Sequence, residues 1–255
     1  LSVKAGAEMR VIRFNAQQTG DNSILYAFTP AFTQGPNPAA SSATAGIATA
    51  SFLLGLPNNG SVTPAPALAM QNKYQAAFVQ ADWKTTPKFT VNLGLRYEYE
   101  TPRMDRFNQF TNLDFNAVPP IQATGLNLQG ALSFVGVGGV SRFQSNPDRN
   151  NISPRLGFAW QVADKTVIRG GVGLFYGTMT GVGGAGANFG VSGFAAATNM
   201  VPSLDGVTPY RYLRNPYPEG LVRASGSSLG AATLLGQAIS FTDRGNYTPY
   251  SMQWN

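Results

Sequence analysis

Gly181, Gly183 and Gly186 satisfy the G-x-G-x-x-G pattern of a dinucleotide-binding loop, and Asp205 stands about 20 residues beyond, where a ribose-binding acid would be placed. Such a loop must leave a parallel strand and open a helix. Here the residues before it alternate like an antiparallel hairpin, and Gly190 and Gly193 would spoil a following helix. A loop without nucleotide chemistry is the better reading. Glu98 and Glu100 would share one face of a strand, their carboxylates ~7 Å apart. That separation overlaps the range of inverting glycosidases. Those acids must flank a substrate, and one needs a raised pKa. Beside Arg96 the two read more simply as part of a charge ladder. No Asp/Glu cluster has calcium-loop spacing. Histidine and cysteine counts are both zero, which excludes Ser-His-Asp triads, thiolate nucleophiles, disulfides and Cys/His zinc sites. No catalytic residue, metal or cofactor is expected, and the protein is read as a non-enzyme. The most ligand-like group is Tyr210, Arg211, Tyr212 and Arg214, because aromatic and Arg side chains are enriched at binding surfaces.

The elements that would position these residues follow from composition and period. In 255 residues there are 29 Gly and 17 Pro, and only 12% of residues are charged, about half the usual share. Hydrophobic residues make up 43% and aromatics 11%, too many for a disordered chain. A coiled coil, a charged tail and an ordinary soluble helical domain are all disfavoured. The net charge of +6 is spread along the chain with no basic cluster, so no nucleic-acid partner is expected. No run of ~18 apolar residues exists, so no transmembrane helix is expected. The absence of Cys fits an oxidising compartment.

Period-two alternation is the main signal. Phe89, Val91, Leu93, Leu95, Tyr97 and Tyr99 alternate with Thr90, Asn92, Gly94, Arg96, Glu98 and Glu100, giving one apolar and one polar strand face. Residues 73–84 alternate likewise, and 85–88 make a short turn with Pro87, so 73–100 reads as a hairpin. A second hairpin follows. Ile152, Pro154, Leu156, Phe158, Trp160 and Val162 alternate with Ser153, Arg155, Gly157, Ala159 and Gln161; the turn is Ala163-Asp164. The return strand carries Ile168, Val172, Leu174 and Tyr176 on one face and Arg169, Gly171 and Gly173 on the other, with Val167 and Phe175 as apolar exceptions. The hairpins repeat at an offset of about 77: Trp83 matches Trp160, Lys88 matches Lys165, Gly94 matches Gly171, and Tyr99 matches Tyr176. Leu1, Val3, Ala5, Ala7, Met9 and Val11 predict a further strand with 23–34 as its partner, and 247–255 begins another, about seven in all. Connections 35–72, 101–150 and 177–246 are long, rich in Gly, Ser, Pro and Asn, and fall on one side of the array. The short apolar runs 47–56 and 229–239 predict short helices within them.

Either a soluble sandwich or a transmembrane barrel could carry such faces. Three features favour the barrel. The 11-residue run 89–99 matches a tilted membrane strand. Trp83 and Phe89 near the turn end, with Tyr97 and Tyr99 near the loop end, resemble two aromatic girdles. Short turns on one side and long loops on the other match the periplasmic and extracellular ends. On this reading Phe89, Val91, Leu93, Leu95, Tyr97, Tyr99, Ile168, Val172, Leu174 and Tyr176 face the membrane. Gln80, Asp82, Asn92, Arg96, Glu98, Glu100, Arg155 and Arg169 face the lumen, where they would pair with one another or line a wet channel. The fold class is all-β, an antiparallel transmembrane β-barrel fragment: a meander of hairpins over residues 1–255. An odd array ending in mid-pattern at Trp254-Asn255 suggests part of a larger barrel.

The run 74–98 (YQAAFVQADWKTTPKFTVNLGLRYE) resembles the barrel segment of TonB-dependent outer-membrane receptors. Residues 151–160 (NISPRLGFAW) and 165–176 (KTVIRGGVGLFY) are similar to the two strands that follow there, and 51–57 and 248–255 look like further stretches of the Oar-like subgroup. The resemblance implies a bacterial cell outer-membrane location and contact with outer-membrane lipid. It implies a 22-stranded parent barrel and, in that subgroup, a carboxypeptidase-regulatory-like domain ahead of the plug. The family's plug and TonB box match nothing in this sequence. The implied function is TonB-coupled uptake of a bulky ligand (an oligosaccharide, peptide or metal chelate), with the TonB complex engaged through the absent plug. Two alternatives stay open: a non-transporting structural or adhesive outer-membrane barrel, and a soluble carbohydrate-binding β-sandwich.

Overall fold

A computed structural model describes residues 1–17, 23–35, 45–177, 191–239, 241, 243–245 and 247–255. The glycine pattern 181–186 lies outside the described residues. The chain is nearly all-β and divides into two compact units, 1–16 with 68–192 and 230–255, and 17–67 with 193–229.

The first unit is built on one antiparallel sheet. The strands are β1 (Ser2–Ala16), β4 (Leu68–Thr86), β5 (Phe89–Glu100), β9 (Ile152–Ala163), β10 (Thr166–Tyr176) and β12 (Tyr250–Trp254), neighbours in that order. The two expected hairpins are present, with turns at 87–88 and 164–165. Their repeat extends to register. Trp83 lies opposite Val91 and Trp160 opposite Ile168; Val79 lies opposite Leu95 and Leu156 opposite Val172. Each hairpin carries a bulge at the matching place, leaving Thr85 and Val162 without a cross-strand partner.

Three expectations are corrected. Residues 23–34 do not pair with the first strand. That partner is β4, with Ser2 opposite Asp82 and Ala16 opposite Leu68; the main sheet still counts seven strands, because the two-residue Met104–Asp105 also pairs with β4. The second correction is length, since β4 begins five residues before the expected start at 73. The physical reason is a change of phase. Leu68 and Met70 are buried on the face that carries Tyr74 and Asp82 lower down, and they pack with Phe110 and Val135. Around this cluster stand the bridge β6 (Met104–Asp105) and the hairpin β7 (Thr111–Asp114) with β8 (Ala131–Phe134). Asp105 is fully buried and accepts backbone N–H bonds from Ala69 (2.8 Å), Phe107 (2.9 Å) and Gln109 (3.1 Å), which fixes that corner. The third concerns the apolar runs: 47–56 contains a helix, but 229–239 gives only a 3-10 turn at Gly230–Ala232.

The second unit holds a small antiparallel sheet in the order β11 (Thr198–Asn199), β3 (Asn59–Val62), β2 (Leu25–Ala27). Its helix α1 (Ala48–Leu53) sets Phe52 edge-on against Phe28 with ring centroids 5.2 Å apart.

Candidate functional site

Register decides which side chains share a face, because residues directly opposite in an antiparallel pair point the same way. On one face Phe89, Val91, Leu93, Leu95, Tyr97 and Tyr99 of β5 continue into Ala77, Val79, Ala81 and Trp83 of β4 and then Val3, Ala5, Ala7 and Met9 of β1. In the other direction they continue into Ile152, Leu156, Phe158 and Trp160, then Ile168 and Val172, then Met252 and Trp254. Leu174 and Tyr176 sit on the same face, opposite Met252 and Tyr250. This wall is uncovered: Leu93 is 44% exposed, Leu95 50% and Trp83 51%. Nothing in a soluble sandwich would leave so large a contiguous apolar face bare. From Val3 to Val11 the apolar run of β1 rises about 21 Å for a strand tilted by ~40°, close to the ~25 Å apolar band of outer-membrane barrels.

The eight expected lumen residues all fall on the opposite face, and the structure connects six of them to described partners there. Arg96 lies at the centre. Its Nε donates to Glu98 Oε1 (2.9 Å), and Nη2 donates to Glu8 Oε2 (3.1 Å) and Tyr74 Oη (3.0 Å). Tyr74 Oη donates in turn to Glu98 Oε1, Ser153 Oγ donates to Glu98 Oε2 (3.3 Å), and Arg10 pairs with Glu8. One guanidinium thus ties β1, β4 and β5 together, and Glu98 extends the tie to β9. Asn72 donates to Glu100, and Asn92 Nδ2 donates to Asp82 Oδ1 (2.6 Å). Both Glu98 and Glu100 are occupied by side-chain donors from neighbouring strands, so the pair belongs to a structural ladder rather than to a hydrolytic cleft. Arg155 stacks 4.6 Å from the Phe175 ring, which gives that apolar exception a partner. Phe78 is the counterpart on β4: its ring covers Gly6 and carries Arg96 at 5.9 Å. Gln80 and Arg169 lie on this face at register positions opposite Gly94 and Ala159.

The four expected ligand residues are brought together in the second unit. Arg211 lies 4.2 Å over the Tyr210 ring and Arg214 lies 5.2 Å over the Tyr212 ring, with both rings on the surface. Arg211 also pairs with Glu219. Beside them, within the same unit, a cavity of about 610 Å³ is lined by Pro64, Pro66, Phe194, Glu219, Leu221 and Arg223. None of these six was singled out from sequence; only the mix of Pro, aromatic and charged residues in two remote connections could have hinted at them. Nearby, Asp205 accepts from the Thr208 and Val207 backbone N–H groups and from the Thr208 and Ser203 hydroxyls, which hold its carboxyl well below the usual carboxylate range. The acid is therefore a turn-builder, not a ribose ligand.

A family model described as outer membrane beta barrel domain matches residues 2–255. The chain belongs to that outer-membrane β-barrel family. Neither the curated proteins nor the solved structures gave a match. Membership accounts for the bare apolar wall: this barrel protein resides in the outer membrane, in contact with its lipid. Two connections of the barrel domain, 17–67 and 193–229, fold into a compact unit of their own, which its strand periodicity did not announce.

Proposed function

We infer that the protein is the barrel part of a receptor that takes up a bulky ligand by TonB coupling, without covalent chemistry. The carrying observation is the run of receptor-like motifs: 74–98 falls on β4 and β5, 151–160 on β9, and 165–176 on β10, consecutive neighbours in one sheet. In this reading the wall of Val91, Leu93, Leu95, Ile168 and Val172 meets lipid, and the Arg96 ladder faces the lumen. Charges that satisfy one another suit a surface closed over by a plug better than an open ion-selective channel, whose lining charges would stay available to ions. The Arg–Tyr stacks at 210–214 and the neighbouring cavity are the ligand-facing elements, with aromatic and guanidinium chemistry suited to sugars, peptides or anionic chelates.

The test is genetic. A strain lacking this gene and a strain lacking the energy-coupling TonB protein are compared for growth on panels of oligosaccharides, peptides and ferric chelates as limiting nutrient. A shared defect on one class is expected. Equal growth of the deletion strain on every class, with a change only in envelope integrity or cell adhesion, would instead support a structural barrel.

A further inference from the structure

The alternation of apolar and polar side chains changes phase inside two neighbouring strands. Along β1 the bare apolar wall ends at Val11, and Arg13 and Asn15 follow on that face, while Ile12, Phe14 and Ala16 turn apolar on the other. Along β4 the wall gives way to Gln75, Lys73, Gln71 and Ala69, while Leu68 and Met70 join a buried cluster on the other face. On the inner face the two inversions are in register, since Phe14 lies opposite Met70 and Ala16 opposite Leu68, while on the wall face β4 turns polar first, with Gln75 opposite Met9 and Lys73 opposite Val11. An apolar-out strand becomes an ordinary apolar-in strand where hydrocarbon ends. The outer boundary of the membrane therefore runs at the level of Met9 to Val11. Arg13, two to four residues further, stands about 5–10 Å higher along the bilayer normal, at the level of lipid headgroups.

At that level, on the same side, lies a notch of about 470 Å³ lined by Arg13, Asn15, Gln71, Met104, Arg106 and Arg142. All three guanidiniums are exposed, and among the described residues none is in an ion pair. Arg13 Nε donates to the neutral Gln71 Oε1 (3.2 Å), and Arg142 Nε donates to Asn108 Oδ1 (2.7 Å), so both are positioned without being neutralised. The one acid of the notch, Asp105, has its carboxylate turned into the protein onto three backbone N–H groups. Three guanidiniums without a carboxylate partner among the described residues, two held by hydrogen bonds and Arg106 lying 5.7 Å from the Phe107 ring, form a receiver for an anion that carries several oxygens.

We propose that this notch holds a phosphate group of an anionic outer-leaflet lipid, fixing the height and rotation of the barrel in the membrane. The long-connection end of the sheet is the extracellular end, so the phosphate belongs to the outer leaflet. The inference rests on the outward orientation of the apolar wall and is independent of TonB coupling and of the transported ligand.

The probe is a diphosphorylated lipid A, titrated into the detergent-solubilised protein and read by native mass spectrometry. Arg13→Gln/Arg106→Gln is the test variant, since among the described residues Arg13 reaches only Gln71, on a strand already paired with its own along fifteen residues, and Arg106 only the adjacent Phe107 ring. Arg169→Gln, on the opposite face, controls for loss of charge. The expected result is one tightly bound lipid, weakened about tenfold or more in the double variant and unchanged in the control. Unaltered affinity in the double variant would overturn the proposal. So would full competition by inorganic phosphate at millimolar concentration, which would make this a free-anion site. Orientation is read separately, by quenching of Trp83 and Trp160 with brominated lipid; absence of quenching would overturn the lipid-facing wall and the notch together. Intact quenching with no charge dependence would reject the notch alone.

Discussion

The orientation of the sheet has a direct energetic consequence at Leu93. This residue stands four positions from Phe89 and four from Tyr97, so it lies about 10 Å from each aromatic level, at mid-depth of the band. A guanidinium there must leave water for hydrocarbon. Leu93→Arg should therefore cost about 2–4 kcal/mol, which lowers the folding equilibrium constant roughly 30- to 700-fold. The neighbouring Asn92 is at the same depth but on the other face, beside the Asp82 carboxylate at 2.6 Å. Asn92→Arg should cost less than about 1 kcal/mol, since the new cation meets a carboxylate and the lumen. Ile152, opposite Tyr97 near the outer edge of the wall, gives an intermediate point; Ile152→Arg should cost about 1 kcal/mol or less. The assay is guanidinium unfolding of the protein in phosphatidylcholine vesicles, followed by tryptophan emission. All three tryptophans, Trp83, Trp160 and Trp254, lie on the apolar wall and report its exposure. Equal costs for Leu93→Arg and Asn92→Arg, or a larger cost for Asn92→Arg, would refute the assignment of faces.

Other expectations follow from particular contacts. Arg96→Met strips Glu98, 14% exposed, of its cation and should destabilise by about 1–3 kcal/mol, less than a fully buried pair because water reaches the network; Arg96→Lys should recover part of the loss in the same unfolding assay. Gly6→Val places a Cβ 2.6 Å from the Phe78 ring and should cost about 1–3 kcal/mol, relieved in Gly6→Val/Phe78→Ala. Asp205 has its pKa depressed, so its turn is supported above the unfolded carboxyl pKa of ~3.9 and is released only as pH falls through the lower folded value. Amide exchange at Val207 and Thr208 should stay protected at pH 4.5 and lose protection in Asp205→Ala; equal protection in the variant would deny the acid that role.

The strand faces were legible in sequence where alternation is long and unbroken, as over 89–99, and where a second copy repeats it, as at Trp160 and Gly171. The partner of β1 was not. Residues 23–34 alternate well enough to suggest pairing with the preceding strand, but their own sheet is a three-stranded one, and Val3 and Ala5 find their apolar neighbours, Ala81 and Val79, across a long connection, in β4. Local pattern carries no information about such a jump. The start of β4 was missed for a different reason. Its alternation continues through 68–72 with inverted sense, and an inversion reads as an ending unless hydrocarbon is known to stop there. Of the site, Tyr210 to Arg214 were found from residue type alone, whereas the cavity joins residues from two remote stretches, 64–66 and 194–224.

The matched bulges at Thr85 and Val162 bear on how such a protein can change size. In a closed cylinder of strands, diameter and tilt are fixed jointly by strand number and accumulated stagger. Two hairpins with the same register and the same irregularity add equal stagger, so one can replace the other, or be duplicated, without forcing neighbouring strands to slide. The hairpin is thus an interchangeable stave, and connections as different as 101–151 and 177–249 can be exchanged between staves without disturbing the cask.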